Sequence, residues 1–193
     1  EGNPQYREYV SGSGDGPGVP LNIEPITAAR EKGITVISEI ELAFRFIRDP
    51  IIGVTGTNGK TTTTLLLGDM LKASGKRVFV GGNVGNPLID CIGRDRWDYV
   101  VAEISSFQLE GIDKFRPHIA LMLNITEDHL DRYPDYGEYI KAKFRLFSNQ
   151  RDSDFAVLNA DDGTIGAMSF QIRARKWYFS LASPVELGTF LHG

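Results

Sequence analysis

Residues Gly56-Thr57-Asn58-Gly59-Lys60-Thr61 bring two glycines, a lysine and two threonines together in one short run. A β-branched stretch precedes them at 51–55 and a helix-prone stretch follows at 62–73. Strand, glycine-rich turn and helix opening on Lys-Thr is an arrangement that holds a nucleoside triphosphate. Backbone N–H groups of the turn wrap an anion, and the helix N-terminus adds partial positive charge. The expected division of labour has Lys60 on the β- and γ-phosphates and Thr61 on Mg²⁺, with Gly56, Thr57, Asn58, Gly59 and Thr62 completing the ATP contact. The general phosphate-loop pattern wants glycine five residues before Gly59; this chain has Val54 there, with glycines at Gly53 and Gly56 instead. It is a variant loop.

Further polar residues fall just after other strand-like runs, where ligands sit in open α/β sheets. The run from Tyr99 ends in Glu103, followed by Ser105, Ser106, Phe107 and Gln108. The run from Ile119 leads to Asn124, Thr126, Glu127, Asp128, His129 and Asp131, and a third run ends in Gly81-Gly82-Asn83. Glu103 closes an apolar stretch, where a carboxylate is costly unless it meets a cation, and a lysine–triphosphate–metal cluster supplies one. His129, flanked by carboxylates, reads as a metal ligand or substrate contact. His118 and His192 have no comparable context. Lys143 lies on a helix whose apolar positions Ile140, Phe144 and Phe147 make one face, and it borders that face while Lys141 points away. Two readings stay open for Lys143: a stem that snorkels to water, or a lysine delivered to the site.

The elements that must position these residues alternate. Strands are expected at 51–55, 77–80, 99–104, 119–125, 155–159 and 176–179, and helices at 62–73, 136–149 and 161–168. Near-continuous Val/Ile/Leu runs suit a parallel sheet covered on both faces, so the expected fold is α/β, a phosphate-loop-type doubly wound sheet with helices on both faces. Ahead of it, residues 1–20 hold five glycines and three prolines and read as loop. A helix at 23–32, a strand at 34–37 and a helix at 39–48 follow; Ser38 and Glu41 form an expected capping box, and Asp49-Pro50 ends that helix. This reads as the remnant of a Rossmann-like domain over 1–49, preceding a second domain over 50–193.

Composition sets outer limits. The chain has 193 residues, 41% hydrophobic and 24% charged, with net charge −4, so no global basic field invites nucleic acid. Cys91 is the only cysteine, which rules out an intrachain disulfide and suits a reducing cytoplasm. No apolar run approaches the roughly 20 residues of a membrane span. The chain opens on Glu1 without methionine and reads as a fragment.

The run Thr55-Gly56-Thr57-Asn58-Gly59-Lys60-Thr61-Thr62 resembles the ATP loop of the Mur ligases, which assemble the peptide stem of bacterial peptidoglycan. Three stretches narrow the resemblance to the D-glutamate-adding branch: Gly81-Gly82-Asn83-Val84-Gly85, Glu103-Ile104-Ser105-Ser106-Phe107-Gln108-Leu109 and the run from Asn124 to Tyr133. It covers residues 17 to 180. It implies a bacterial cytoplasmic enzyme in which ATP phosphorylates the carboxylate of UDP-N-acetylmuramoyl-L-alanine. The amine of D-glutamate then attacks the acyl phosphate. Carried over residue by residue, the resemblance makes Lys60, Glu103, His129 and Lys143 catalytic. Thr61 and Glu103 then hold one Mg²⁺, His129 helps hold a second, and Lys143, as a CO₂-derived carbamate, orients the metal. Gly18, Asn83, Ser105, Gln108 and His129 contact the UDP-sugar substrate. The resemblance also implies that residues 1–49 are the tail of a UDP-substrate domain, that the central ATP domain is incomplete and that the D-glutamate domain is absent, leaving a fragment, expected monomeric, that does not turn over alone. A sibling Mur ligase, a folylpolyglutamate synthase and an ATP-binding module without activity are the competing readings. A phosphate-loop kinase or a GTPase switch is a further reading, and the absence of an Asn-Lys-x-Asp run weighs against the switch.

Overall fold

The computed structural model describes residues 9–11, 23–93, 96–127 and 133–191. Among them the strands are β1 (Tyr9–Ser11), β2 (Val36–Ser38), β3 (Ile51–Thr55), β4 (Val78–Gly82), β5 (Tyr99–Glu103), β6 (Ile119–Met122), β7 (Phe155–Asn159), β8 (Arg175–Ser180) and β9 (Gly188–Phe190). The helices are α1 (Glu24–Glu31), α2 (Glu39–Phe44), α3 (Lys60–Ala73), α4 (Ser106–Glu110), α5 (Tyr136–Phe144) and α6 (Gly163–Met168). Strands β3 to β9 form one wholly parallel sheet in the order β4-β5-β3-β6-β7-β8-β9, while β1 and β2 pair parallel in a small separate sheet. The expected α/β class holds.

Period-two alternation sorts the strand residues into two faces. Ile51, Phe79, Val100, Ala102, Ala120, Met122, Ala156 and Leu158 join the large core beneath α2, α4, α5 and α6. Their neighbours Ile52, Val78 and Val101 face the other way and pack with Leu67 and Leu71 of α3. Helices therefore cover both faces, with α3 lying on the second. The helix and sheet approach closely there: a Cβ on Gly68 would come within 2.5 Å of Val80 Cγ2.

Several boundaries differ from the sequence expectation. Tyr9–Ser11 is a strand, not loop, because β2 offers it a parallel edge; the other residues of 1–22 lie outside the described set. The Ser38–Glu41 capping box is not formed. Ser38 makes no side-chain cap bond, and Glu41 Oε2 instead accepts from the backbone N–H groups of Asp113, Lys114 and Phe115 at 3.0, 2.9 and 2.8 Å. Three donors on one carboxylate oxygen outweigh the single donor a capping box offers. Helix α2 stops at Phe44, short of Arg48, as Phe46 and Ile47 both turn back onto the carbonyl of Ala43. Strand β6 stops at Met122, not Ile125, and α5 gives way after Phe144 to a 3₁₀ turn, Arg145–Phe147. The sequence reading passed over α4 and β9, each too short to carry a period of its own.

Helix α2 is tied into the large sheet. Ile40 and Ala43 are fully buried in its core, Glu39 Oε1 accepts from Ile89 N at 2.6 Å, and Ser38 N donates to Gly111 O at 2.8 Å. Burial, then the carboxylates of Asp49 and Glu39, push the Cys91 thiol up to about 11, so it stays protonated at neutral pH.

Candidate functional site

The chain crosses from β3 to β4, inserts β5 between them, and then places β6 on the opposite side of β3. That reversal opens a crevice at the carboxyl end of β3, where ligands bind in folds of this type. Register completes the placement: Val54 pairs with Glu103, Gly82 pairs with Glu103, and Thr55 pairs with Met122. The ends of four strands therefore surround the turn 56–59.

The turn is shaped by its glycines. Gly59 has φ +81°, a left-handed conformation that residues with a Cβ resist, and it leads directly into α3. A Cβ on Gly56 would come within 3.0 Å of Leu123 Cβ. Lys60 opens α3, and its Nζ donates to the Thr57 carbonyl at 2.9 Å, which holds the ammonium at the turn. Thr61 and Thr62 are exposed in the first turn of this 14-residue helix, where backbone N–H groups have no helical acceptor. The result is a run of backbone donors with a cation beside it, suited to an anion of high charge.

Two brackets hold the turn against β6. Asn58 N donates to Asn124 Oδ1 at 2.8 Å, and Asn124 Nδ2 returns a bond to the Asn58 carbonyl at 3.1 Å. Thr57 N donates to the Asn124 carbonyl at 2.9 Å, and Thr57 Oγ1 accepts from Thr126 N at 3.0 Å. Thr57 Oγ1 also lies 3.1 Å from the hydroxyl of Tyr139, which is fully buried.

Glu103 is 2% exposed and carries two donors: Thr61 Oγ1 on Oε2 at 2.7 Å, and Asn83 Nδ2 on Oε1 at 2.8 Å. Gly82 permits the second contact. With φ +99° and no Cβ, it lets the chain pass directly over the Glu103 carbonyl, which a side chain there would strike.

Lys143 is 2% exposed, so the snorkelling reading fails. Its Nζ donates to the Gly56 carbonyl at 2.8 Å and lies 4.7 Å from the centre of the Tyr139 ring. Lys141, by contrast, is exposed and pairs with Glu138 at 2.7 Å. The buried positions of α5 are Tyr139, Ala142, Lys143 and Phe144, so Lys143 lies within the packed face rather than at its border.

Ser105 and Gln108 are brought together at the start of α4, where they form a reciprocal capping box: Gln108 N donates to Ser105 Oγ at 3.3 Å and Ser105 N to Gln108 Oε1 at 3.0 Å. Gln108 Nε2 is buried with no hydrogen-bond partner among the described residues. Gly18 and His129 lie outside the described residues. No group of three or more His, Cys, Asp or Glu placed to hold a metal ion occurs among the described residues. Lys60, Thr61, Asn83, Glu103 and Lys143 thus converge on one turn. Sequence reasoning missed the contacts that Thr126 and Tyr139 make with Thr57. For Tyr139 the available signal was its spacing, four residues before Lys143 on one helix face.

No helix among the described residues is long and apolar enough to cross a membrane. A sequence model of the Mur ligase middle domain matches residues 54–189. The chain is 53% identical over 176 residues to the UDP-N-acetylmuramoylalanine–D-glutamate ligase of Geotalea daltonii, an alignment spanning 90% of this chain and 39% of that relative. In fold it is similar to the UDP-N-acetylmuramate:L-alanyl-gamma-D-glutamyl-meso-diaminopimelate ligase of Neisseria meningitides, with TM-score 0.64, 18% identity and coverage of 93% of this chain and 62% of that one. It is also similar to the MurF ligase of Thermotoga maritima in complex with ADP, with TM-score 0.61, 18% identity and coverage of 92% and 48%. The glycine-rich turn, the sheet around it and the match over 54–189 together establish that the chain belongs to the Mur ligase family, through its middle domain.

Proposed function

We propose that this chain is the ATP-binding, phosphoryl-transfer part of a ligase that joins D-glutamate to UDP-N-acetylmuramoyl-L-alanine in bacterial peptidoglycan synthesis. In this reading residues 50–193 belong to the central ATP domain, and residues 1–49 are the tail of the domain that binds the UDP-substrate. The observation that carries the reading is Thr61 Oγ1 at 2.7 Å from Glu103 Oε2, beside Lys60 at the opening of α3. The substrates are those named for the Geotalea daltonii relative.

The residues present fit a magnesium ion. Thr61 and Glu103 offer adjacent hard oxygen donors of the kind Mg²⁺ takes. They would hold one such ion, His129 would help hold a second, and a carbamate on Lys143 would orient the metal, which would neutralise charge on the phosphates. Lys143 fits its part chemically. Carbamylation converts an amine and CO₂ into R–NH–COO⁻ and releases a proton. The remaining N–H can keep its bond to the Gly56 carbonyl while the new carboxylate extends beyond it.

This chain's own groups then divide the work. The turn 56–59 wraps the phosphates through backbone N–H groups, and Lys60 offsets charge on the transferring phosphoryl group. Asn83 fixes the Glu103 carboxylate from the side opposite Thr61. Asn83, Ser105, Gln108, Gly18 and His129 contact the UDP-sugar. The buried, unpartnered Nε2 of Gln108 favours its share in that contact.

The test is phosphate release from ATP with UDP-N-acetylmuramoyl-L-alanine, with and without D-glutamate. It is run on this chain and on a protein of the relatives' full length. Substrate-dependent release by the long form, coupled to amide formation, supports the reading. Release stimulated by another acid substrate, such as a folate, overturns it.

A further inference from the structure

The side chain of Asp162 has no part in the chemistry above, yet it is bonded at both ends. Its Oδ1 caps α6, accepting from Thr164 N at 2.9 Å and Ile165 N at 3.0 Å. Its Oδ2 reaches across to the neighbouring strand end and accepts from Ile125 N at 2.7 Å. Ile125 lies between Asn124 and Thr126, the two residues that bracket the turn at Thr57 and Asn58. The same segment is held at two further points: Asn159 Nδ2 donates to the Leu123 carbonyl at 2.9 Å, and the Tyr136 hydroxyl donates to the Ile125 carbonyl at 3.0 Å.

We infer that Asp162 is a positioning residue for the nucleotide site, acting through Ile125 to hold the segment 123–126 in the register that shapes the turn 56–59. The inference rests on the nucleotide-binding reading proposed above and extends it two strands outward, from β3 through β6 to the end of β7. A carboxylate suits this position because it must accept on both oxygens. Asparagine has one acceptor oxygen and one NH₂, so either the cap or the Ile125 N–H would face a donor. The bond to Ile125 also pins a loop that no strand ladder holds, since β6 ends at Met122.

Serine separates the two functions of the residue. It still caps a helix but is too short to reach Ile125. The experiment compares wild type, Asp162→Ser and Asp162→Asn on the 193-residue chain, using amide hydrogen exchange without nucleotide and calorimetric titration with Mg·ADP. In Asp162→Ser, exchange at Ile125, Thr57 and Asn58 is expected to quicken about tenfold or more, while Thr164, Ile165 and the amides of β5 hold their protection. Mg·ADP affinity is expected to weaken about tenfold, or about 1.4 kcal/mol, with unchanged stoichiometry. Asp162→Asn should show the same loosening at Thr57 and Asn58 whenever its oxygen stays with α6. Unchanged exchange at Thr57 and Asn58 in both variants overturns the inference. So does a uniform rise across all amides, which would make Asp162 a residue of general stability. If the wild-type chain itself fails to bind Mg·ADP, the nucleotide reading falls, while the exchange pattern still decides whether Asp162 holds the turn.

Discussion

Lys143 Nζ donates to the carbonyl of Gly56 at 2.8 Å, joining α5 to the glycine-rich turn across 87 residues of sequence. A buried ammonium is costly unless it is bonded, and here the bond lands on the one loop expected to carry phosphate chemistry. A change at Lys143 therefore acts directly on the turn.

If Lys143 works as a carbamate, Lys143→Ala in the full-length ligase should lose most of its activity. Formate, acetate or chloride should restore part of it by supplying an anion. Lys143→Arg should not be rescued by its own charge, because guanidinium stays cationic and does not carbamylate. The checks are initial rates with and without added anion, and carbonyl NMR after exposure to isotopically labelled bicarbonate. Full activity of Lys143→Ala without any anion returns the residue to a structural role.

Lys60→Ala removes the cation that sits at the turn. Charge-assisted contacts contribute about 1.5–3 kcal/mol, so Mg·ATP should bind roughly 10- to 150-fold more weakly. Titration calorimetry on this chain reads the difference directly, and parental affinity in the variant would sink the assignment of the loop.

Gly68 marks the point where α3 touches the sheet, with no room for a methyl beside Val80. Alanine is the better helix former by about 1 kcal/mol, but overpacking costs about 1–3 kcal/mol, so Gly68→Ala should be neutral to destabilising. In a Val80→Ala background the clash is gone, and the same change should become stabilising. Denaturant unfolding of the four proteins in this cycle measures the coupling; equal effects of Gly68→Ala in both backgrounds would contradict the packing.

Burial raises the pKa of Glu39 above its usual value, with Asp90 adding to the effect and hydrogen bonds from the Ile89 and Leu88 backbone opposing it. The folded state therefore holds this proton more tightly than the unfolded state. The stability it contributes is present below the ordinary carboxylate value of 4.5 and is lost as pH rises through the raised folded value. Glu39→Gln, which keeps an acceptor for Ile89 N, should melt higher than the parent at neutral pH, and the gain should shrink as pH falls below that ordinary value. A gain independent of pH would reject the titration of Glu39 as its cause.

The local pattern was enough to reveal the strand–turn–helix arrangement around residues 56–61, the strand runs and the parallel α/β sheet. Gly56, Gly59, Lys60 and Thr61 are adjacent in sequence, and each strand carries its own apolar run. That Glu103 needs partners was legible too, because a carboxylate ending an apolar strand is costly alone; the expectation was a cation, and the partners among the described residues are the neutral donors Thr61 and Asn83. What the tertiary structure decided were relations between segments far apart. Strand order alone sets β5 and β6 on either side of β3 and so brings Glu103 and Asn124 to one turn. Packing of α5 chose between snorkelling and buried for Lys143, since helix periodicity gives a face but not the depth to which that face sinks. The same holds for Glu41: local spacing proposed a cap for its own helix, and three backbone N–H groups some seventy residues away claimed the carboxylate instead. A side chain's local options are written in its neighbours along the chain; which option wins depends on the donors and apolar surface that folding brings to it.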